Sequence, residues 1–190
     1  MKMSGEYRIE APIERVWDAL NDPEILKQAI PGCDSIERLS ETEMTAKVTA
    51  RVGPVKASFT GNVTLSDLDP PNSYRISGEG KGGAVGFAKG GANVSLEADG
   101  DATILRYEVD ATVGGKLAQL GSRLIDGTAK KMAGEFFSSF AEVVGGPAPE
   151  EAAAAAAPAS GGFTGPVVGM GTWIGAAILV AAVVIALIAG

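Results

Sequence analysis

Chemistry in a protein needs nucleophiles, bases or ligands at workable spacing, and this chain offers three places to look for them. Cys33 is its only cysteine, Asp18, Asp22 and Glu24 crowd into one short stretch, and residues 78–91 are rich in glycine. A thiol nucleophile needs a base to take its proton, and a chain with no histidine has no ordinary triad partner for it. The same shortage removes the metals. One cysteine without histidine makes neither a zinc nor an iron–sulfur ligand set, and an internal disulfide is excluded. Cys33 is therefore read as a small core residue. In residues 78–91 backbone N–H groups could approach an anion, as in a phosphate loop. The segment lacks both the Gly-Lys-Ser/Thr ending and the following helix whose dipole would hold the charge. It is read instead as a hairpin with Phe87 at its tip, flanking a cavity mouth. The carboxylates are read as the solvated side of short helices, and Arg123 with Asp126 as a surface pair worth a few tenths of a kcal/mol. No catalytic residue and no metal site is assigned.

The elements that would carry any site follow from hydrophobic period. Residues 7–11 read as a first strand, and residues 12–21 as a short helix with Pro12 near its start and Ile13, Val16, Trp17 and Leu20 on one face. A second short helix over residues 24–29 ends at Pro31-Gly32. Six strands with two-residue alternation follow, over residues 33–40, 43–52, 55–69, 73–81, 85–98 and 103–113, punctuated by Gly53-Pro54, Pro70-Pro71-Asn72 and Asp99-Gly100. Residues 116–144 then repeat apolar side chains near helical spacing through Leu117, Leu120, Leu124, Met132, Phe136, Phe137 and Phe140. The expectation is an α+β fold in which a seven-stranded antiparallel, curved sheet grips one long helix.

The inward positions of that sheet are small. Ala46, Ala50, Ala57, Gly61, Gly78, Gly80, Ala92 and Ala111 alternate with polar neighbours. Close-packed interiors leave few voids, so such a lining calls for a tightly docked helix or for a guest molecule. Gly121, Gly127 and Gly134 on the long helix fit close sheet packing and a cavity wall equally well, although each weakens the helix by about 1 kcal/mol relative to Ala.

Length and charge bound the rest. Of 190 residues, 1–144 form one domain, 145–166 an Ala/Pro/Gly-rich linker, and 167–190 a stretch without a single charge. The last provides about the 20 apolar residues that a bilayer-spanning helix requires. With no signal sequence at the other end, the expectation is a C-terminal transmembrane helix that anchors a soluble domain to the cell membrane on its cytoplasmic side. The linker, treated as a flexible coil, spans roughly 25 Å. A net charge of −7 argues against nucleic acid and against a soluble domain that clings to anionic lipid, which leaves membrane contact to the tail.

Taken in order, these residues resemble the CoxG family, the G-subunit family of carbon monoxide dehydrogenase, within the START-like, helix-grip (SRPBCC) superfamily. The resemblance runs from Met1 to about Val144 and is carried by Ala11-Pro-Ile-Glu-Arg-Val-Trp17, Leu20-Asn-Asp-Pro23, Ile30-Pro-Gly-Cys33, Phe59 with Gly61, Pro70-Pro71 with Tyr74, and the block from Val113 to Asp126 with Phe136-Phe137. It implies an apolar pocket between sheet and helix. It also implies a non-catalytic role beside a molybdenum hydroxylase of the carbon monoxide dehydrogenase type, tying that enzyme to the membrane and handling a respiratory quinone such as menaquinone. No covalent cofactor is implied. Each buried CH₂ contributes about 0.8 kcal/mol, so an apolar tunnel could hold an isoprenoid tail. The pocket-lining candidates are Phe59, Phe87, Tyr107, Leu120, Leu124, Phe136 and Phe137, with Trp17 and Ile30 near the helical lid. A membrane adaptor that carries no ligand is the competing reading. An enzyme of lipophilic substrates is a third, and it would need a polar group on the pocket floor.

Overall fold

The computed structural model describes residues 1–145. Ten elements follow one another: β1 (Lys2–Ile9), α1 (Ile13–Leu20), α2 (Pro23–Ala29), β2 (Cys33–Arg38), β3 (Glu43–Val52), β4 (Val55–Asp69), β5 (Ser73–Lys81), β6 (Gly86–Asp99), β7 (Ala102–Gly115) and α3 (Ser122–Val144). The strands form one sheet in the order β1-β7-β6-β5-β4-β3-β2, each pair antiparallel. Helix α3 touches β1 at one edge and β3 near the other, so the sheet wraps round it, and α2 covers its far side. The fold is α+β, a long C-terminal helix held in an antiparallel grip.

Local chemistry explains most of the boundaries. Pro12 sits immediately before α1, where its missing N–H is not needed. Asp22, expected to be plain solvated surface, serves the fold instead, because its Oδ1 accepts the Glu24 N–H at 2.9 Å and caps α2, with Pro23 in the first turn. Strands β3, β4 and β5 begin and end where alternation placed them.

Two expectations are corrected. The first strand runs over Lys2–Ile9 rather than residues 7–11, because its pairing with β7, from Lys2 opposite Asp110 to Ile9 opposite Thr103, fixes an edge that Ser4 and Gly5 hide in the sequence. The last helix does not begin at residue 116. Gly121 has φ +89°, which no continuous helix accommodates, so a 3₁₀ turn over Ala118–Leu120 comes first and α3 starts at Ser122. The buried face of α3 is accordingly Ile125, Ala129, Met132, Ala133, Phe136, Phe137, Phe140, Ala141 and Val144.

Among the described residues no helix is long and apolar enough to cross a membrane. The expected linker beyond Gly145 and the expected span at 167–190 lie outside the described residues.

Candidate functional site

Antiparallel order brings three connections to one end of the sheet: the β3–β4 turn, the β5–β6 hairpin and the β7–α3 segment. They meet at the N-terminal end of α3. Gly53 (φ +56°) in the β3–β4 turn lies so close to Leu124 that a Cβ added there would stand 2.7 Å from Leu124 Cδ2. Phe87 is not the hairpin tip but the second residue of β6, opposite Lys81 on β5 and Gly114 on β7. Its ring lies so near Gly114 that a Cβ there would come within 2.3 Å of Phe87 Cε1, so the glycine makes room for the aromatic. The Leu117 N–H donates to Val85 O at 3.1 Å and stitches the hairpin to the segment leading into α3.

Behind this rim a cleft of about 340 Å³ opens between the end of β7 and the first turns of α3. Ala111, Val113, Ala118 and Ile125 supply apolar wall, and Ser122 and Asp126 stand on the helix side. That volume lies at the lower end of the range for small-molecule pockets, about 300–1,000 Å³. A larger cleft of about 450 Å³ carries Lys2, Arg75, Asn93, Glu108 and Asp110, a lining suited to water and ions rather than to an apolar guest.

The nine sequence candidates separate by place. Ile30, Phe59, Tyr107, Phe136 and Phe137 are at most 3% exposed. They are packed core. Phe137 stacks on Tyr7 with ring centroids 4.0 Å apart and meets Phe136 edge-on at 4.8 Å, and Tyr107 lies parallel to Phe137 at 6.2 Å. Trp17 is half-buried, with its edge on Tyr74 at 5.1 Å and 83°. None of the nine lines the cleft; Phe87, Leu120 and Leu124 stand at the same end of the sheet, with Phe87 and Leu124 among the exposed large apolar residues. Leu124 was expected on the buried face of the helix. It lies off that face because the buried stripe of α3 runs through Ile125, Ala129, Met132 and Phe136, one position past Leu124.

One residue that alternation counted merely as inward apolar surface is chemically distinctive. The Tyr74 hydroxyl, on a side chain 2% exposed, has no hydrogen-bond partner among the described residues. Burial pushes its pKa well above the ordinary phenol value, so it remains a neutral O–H donor. Nothing in a two-residue alternation reveals whether a tyrosine oxygen finds an acceptor. Cys33 is half-buried, its Sγ 3.5 Å from Ser35 O; burial and, secondarily, Asp34 raise its pKa and keep it a thiol. Among the described residues no group of His, Cys, Asp and Glu is placed to hold a metal ion. The cleft between β7 and α3 is suited to receiving a small apolar molecule; Tyr74, beside the β4–β5 turn at the other end of the sheet and against Trp17, does not line it.

Comparison with known proteins agrees in fold and in sequence. Residues 5–145 match the family model for CoxG, described as the G subunit of carbon monoxide dehydrogenase. A conserved protein from Geobacillus kaustophilus, known as a crystal structure, is 30% identical, with a TM-score of 0.71 over 76% of this chain and 95% of that one. A protein from Thermus thermophilus is 17% identical, with a TM-score of 0.58 over 76% of this chain and 97% of its own. A START superfamily protein from Mycobacterium smegmatis, also 17% identical, has a TM-score of 0.53 over 75% and 93%. At that identity the last two show the fold alone. No curated protein matches the chain.

Proposed function

The chain belongs to the CoxG family of carbon monoxide dehydrogenase, and from that premise we propose that it is a non-catalytic accessory protein of a molybdenum-containing carbon monoxide dehydrogenase, one that binds a menaquinone-like respiratory quinone and links the enzyme to the cell membrane. The family's name supplies the association with the dehydrogenase. The observation that carries ligand binding is the apolar cleft between β7 and α3, whose volume lies within the range of small-molecule pockets. A quinone has an apolar tail that suits the walls formed by Ala111, Val113, Ala118 and Ile125.

In this reading Ala111, Val113, Ala118 and Ile125 strip water from the apolar part, and Ser122, on the helix side of the cleft, offers a hydroxyl to the polar head. The quinone, when bound, supplies the two-electron acceptor that the dehydrogenase needs. The uncharged stretch at residues 167–190 is assigned as a tail anchor, and residues 145–166 as its tether, with the folded domain on the cytoplasmic face.

The test is extraction and mass spectrometry of residues 1–145, purified without detergent from a quinone-producing host. Quinone near one per chain, reduced several-fold by Ala118→Trp in the cleft wall, is the expected result. A domain that stays empty after loading with quinone makes it an adaptor instead.

A further inference from the structure

The −7 net charge of the chain is not spread evenly over the fold. The turns at the end opposite the rim carry acids: Glu41 before β3 and Glu43 at its start, Asp67 and Asp69 at the end of β4, Asp99 at the end of β6 and Asp101 after it, all exposed, against Arg38 and against Arg8, which pairs with Asp99 at 2.9 Å. The rim end carries cations. Arg51 and Lys56 flank the β3–β4 turn, Lys81 and Lys89 the β5–β6 hairpin, and Lys116 and Arg123 the segment entering α3; every one is exposed. Against them stand Glu79, paired with Lys81 at 2.8 Å, and the half-buried Asp126. At the same end stand Phe87, 42% exposed, over Gly114, and Leu124, 39% exposed, against Gly53, with the half-buried Leu120 and Val85.

Each feature alone is ordinary. Together, exposed apolar side chains at the same end as these Lys and Arg on a net-acidic protein match the two layers of an anionic membrane surface, hydrocarbon beneath and negative headgroups around. We propose that the folded domain itself seats this end on anionic lipid, with Phe87 and Leu124 entering the acyl boundary and Arg51, Lys56, Lys81, Lys89, Lys116 and Arg123 on the phosphates. The acidic end then faces away, repelled by the same surface. The 340 Å³ cleft, which includes Ala118 and Ser122 from the segment entering α3, opens beside the membrane rather than toward bulk water. A tail could hold the domain near the bilayer; this surface orients it. The proposal does not rest on the quinone, because nothing in the docking surface or in its test contains a ligand.

The full chain is reconstituted in nanodiscs of phosphatidylcholine with and without phosphatidylglycerol, and side-chain accessibility is read by hydroxyl-radical footprinting with mass spectrometry. Leu39 and Leu68, 61% and 43% exposed at the acidic end, serve as internal controls. Phe87 and Leu124 should lose several-fold labelling only on the phosphatidylglycerol discs, while Leu39 and Leu68 stay fully labelled. Lys89→Glu with Lys116→Glu and Arg123→Glu, all exposed positions, should abolish the protection without changing the controls. Each lost cation weakens attraction to the surface by about fivefold. Equal labelling of Phe87 and Leu124 on both disc types overturns the proposal. So does protection that survives the charge reversals, or protection that arises only when the dehydrogenase is added.

Discussion

Tyr74 concentrates more physical consequence than any other single side chain. Its hydroxyl is sealed from water without an acceptor among the described residues, so Tyr74→Phe should leave the ligand-free protein unchanged or more stable by about 1 kcal/mol, as read by urea denaturation. Because Tyr74 lies at the end of the sheet away from the cleft, the same change should leave the quinone retained on purification unaltered; lowered retention would place the ligand's polar head at Tyr74 instead. Its titration gives a second signature. The phenol is held protonated in the fold, whereas in the unfolded chain it ionises near the ordinary value of 10.0, so the native state binds more protons above that pH. Stability should therefore be flat below it and fall by up to about 1.4 kcal/mol per pH unit above it, a slope that Tyr74→Phe reduces. The aromatic candidates divide on similar grounds. Phe137→Ala removes a fully buried ring stacked on Tyr7 and met edge-on by Phe136 and should destabilise by about 3–5 kcal/mol, whereas Leu124→Ala at the rim should lose under about 1 kcal/mol. Equal losses in thermal unfolding would mean that the rim is as closed as the core.

At the scale of elements, α3 shows where sequence period stopped being informative. Phe136, Phe137 and Phe140 were legible as an inward face because three large rings at helical spacing have nowhere else to go. Leu117 and Leu120 precede the break at Gly121 and so are not on α3, and Leu124, on α3 itself, lies one position before the buried stripe that starts at Ile125. Gly127 and Gly134 were equally compatible with close packing and with a cavity wall. A Cβ on either would have no heavy atom within 4 Å, apart from the helix's own neighbouring backbone, so close packing is not their reason. Gly127→Ala should therefore stabilise the domain by about 0.5–1 kcal/mol in thermal unfolding, the ordinary helix-propensity gain. A loss of stability would show that α3 is crowded there. The hairpin of residues 78–91 was legible as strand–turn–strand. That Phe87 folds over Gly114 was not, because the partner lies on β7 and the contact depends on register.

For the whole molecule, charge and connectivity decide how the domain is used. Deleting residues 167–190 separates attachment from orientation: the shortened chain should bind vesicles more weakly, and what binding remains should disappear at high salt, where exposed charges are screened within about 3 Å at 1 M. Salt-resistant binding without that stretch would place the attachment elsewhere in the chain. By itself the sequence determined the α+β architecture, the antiparallel strands from β3 to β5, the aromatic face of α3, the absence of histidine and of a second cysteine, and the family. Those are properties of local period, composition and ordered motif, and each is written in consecutive residues. The tertiary structure alone decided that five of nine pocket candidates are core, that Tyr74 lacks an acceptor among the described residues, and that six exposed cations flank the turns at one end of the sheet. Burial, hydrogen-bond satisfaction and surface charge are sums over residues distant in sequence. They exist only once β7 lies beside β1 and the turns of alternate hairpins have come together.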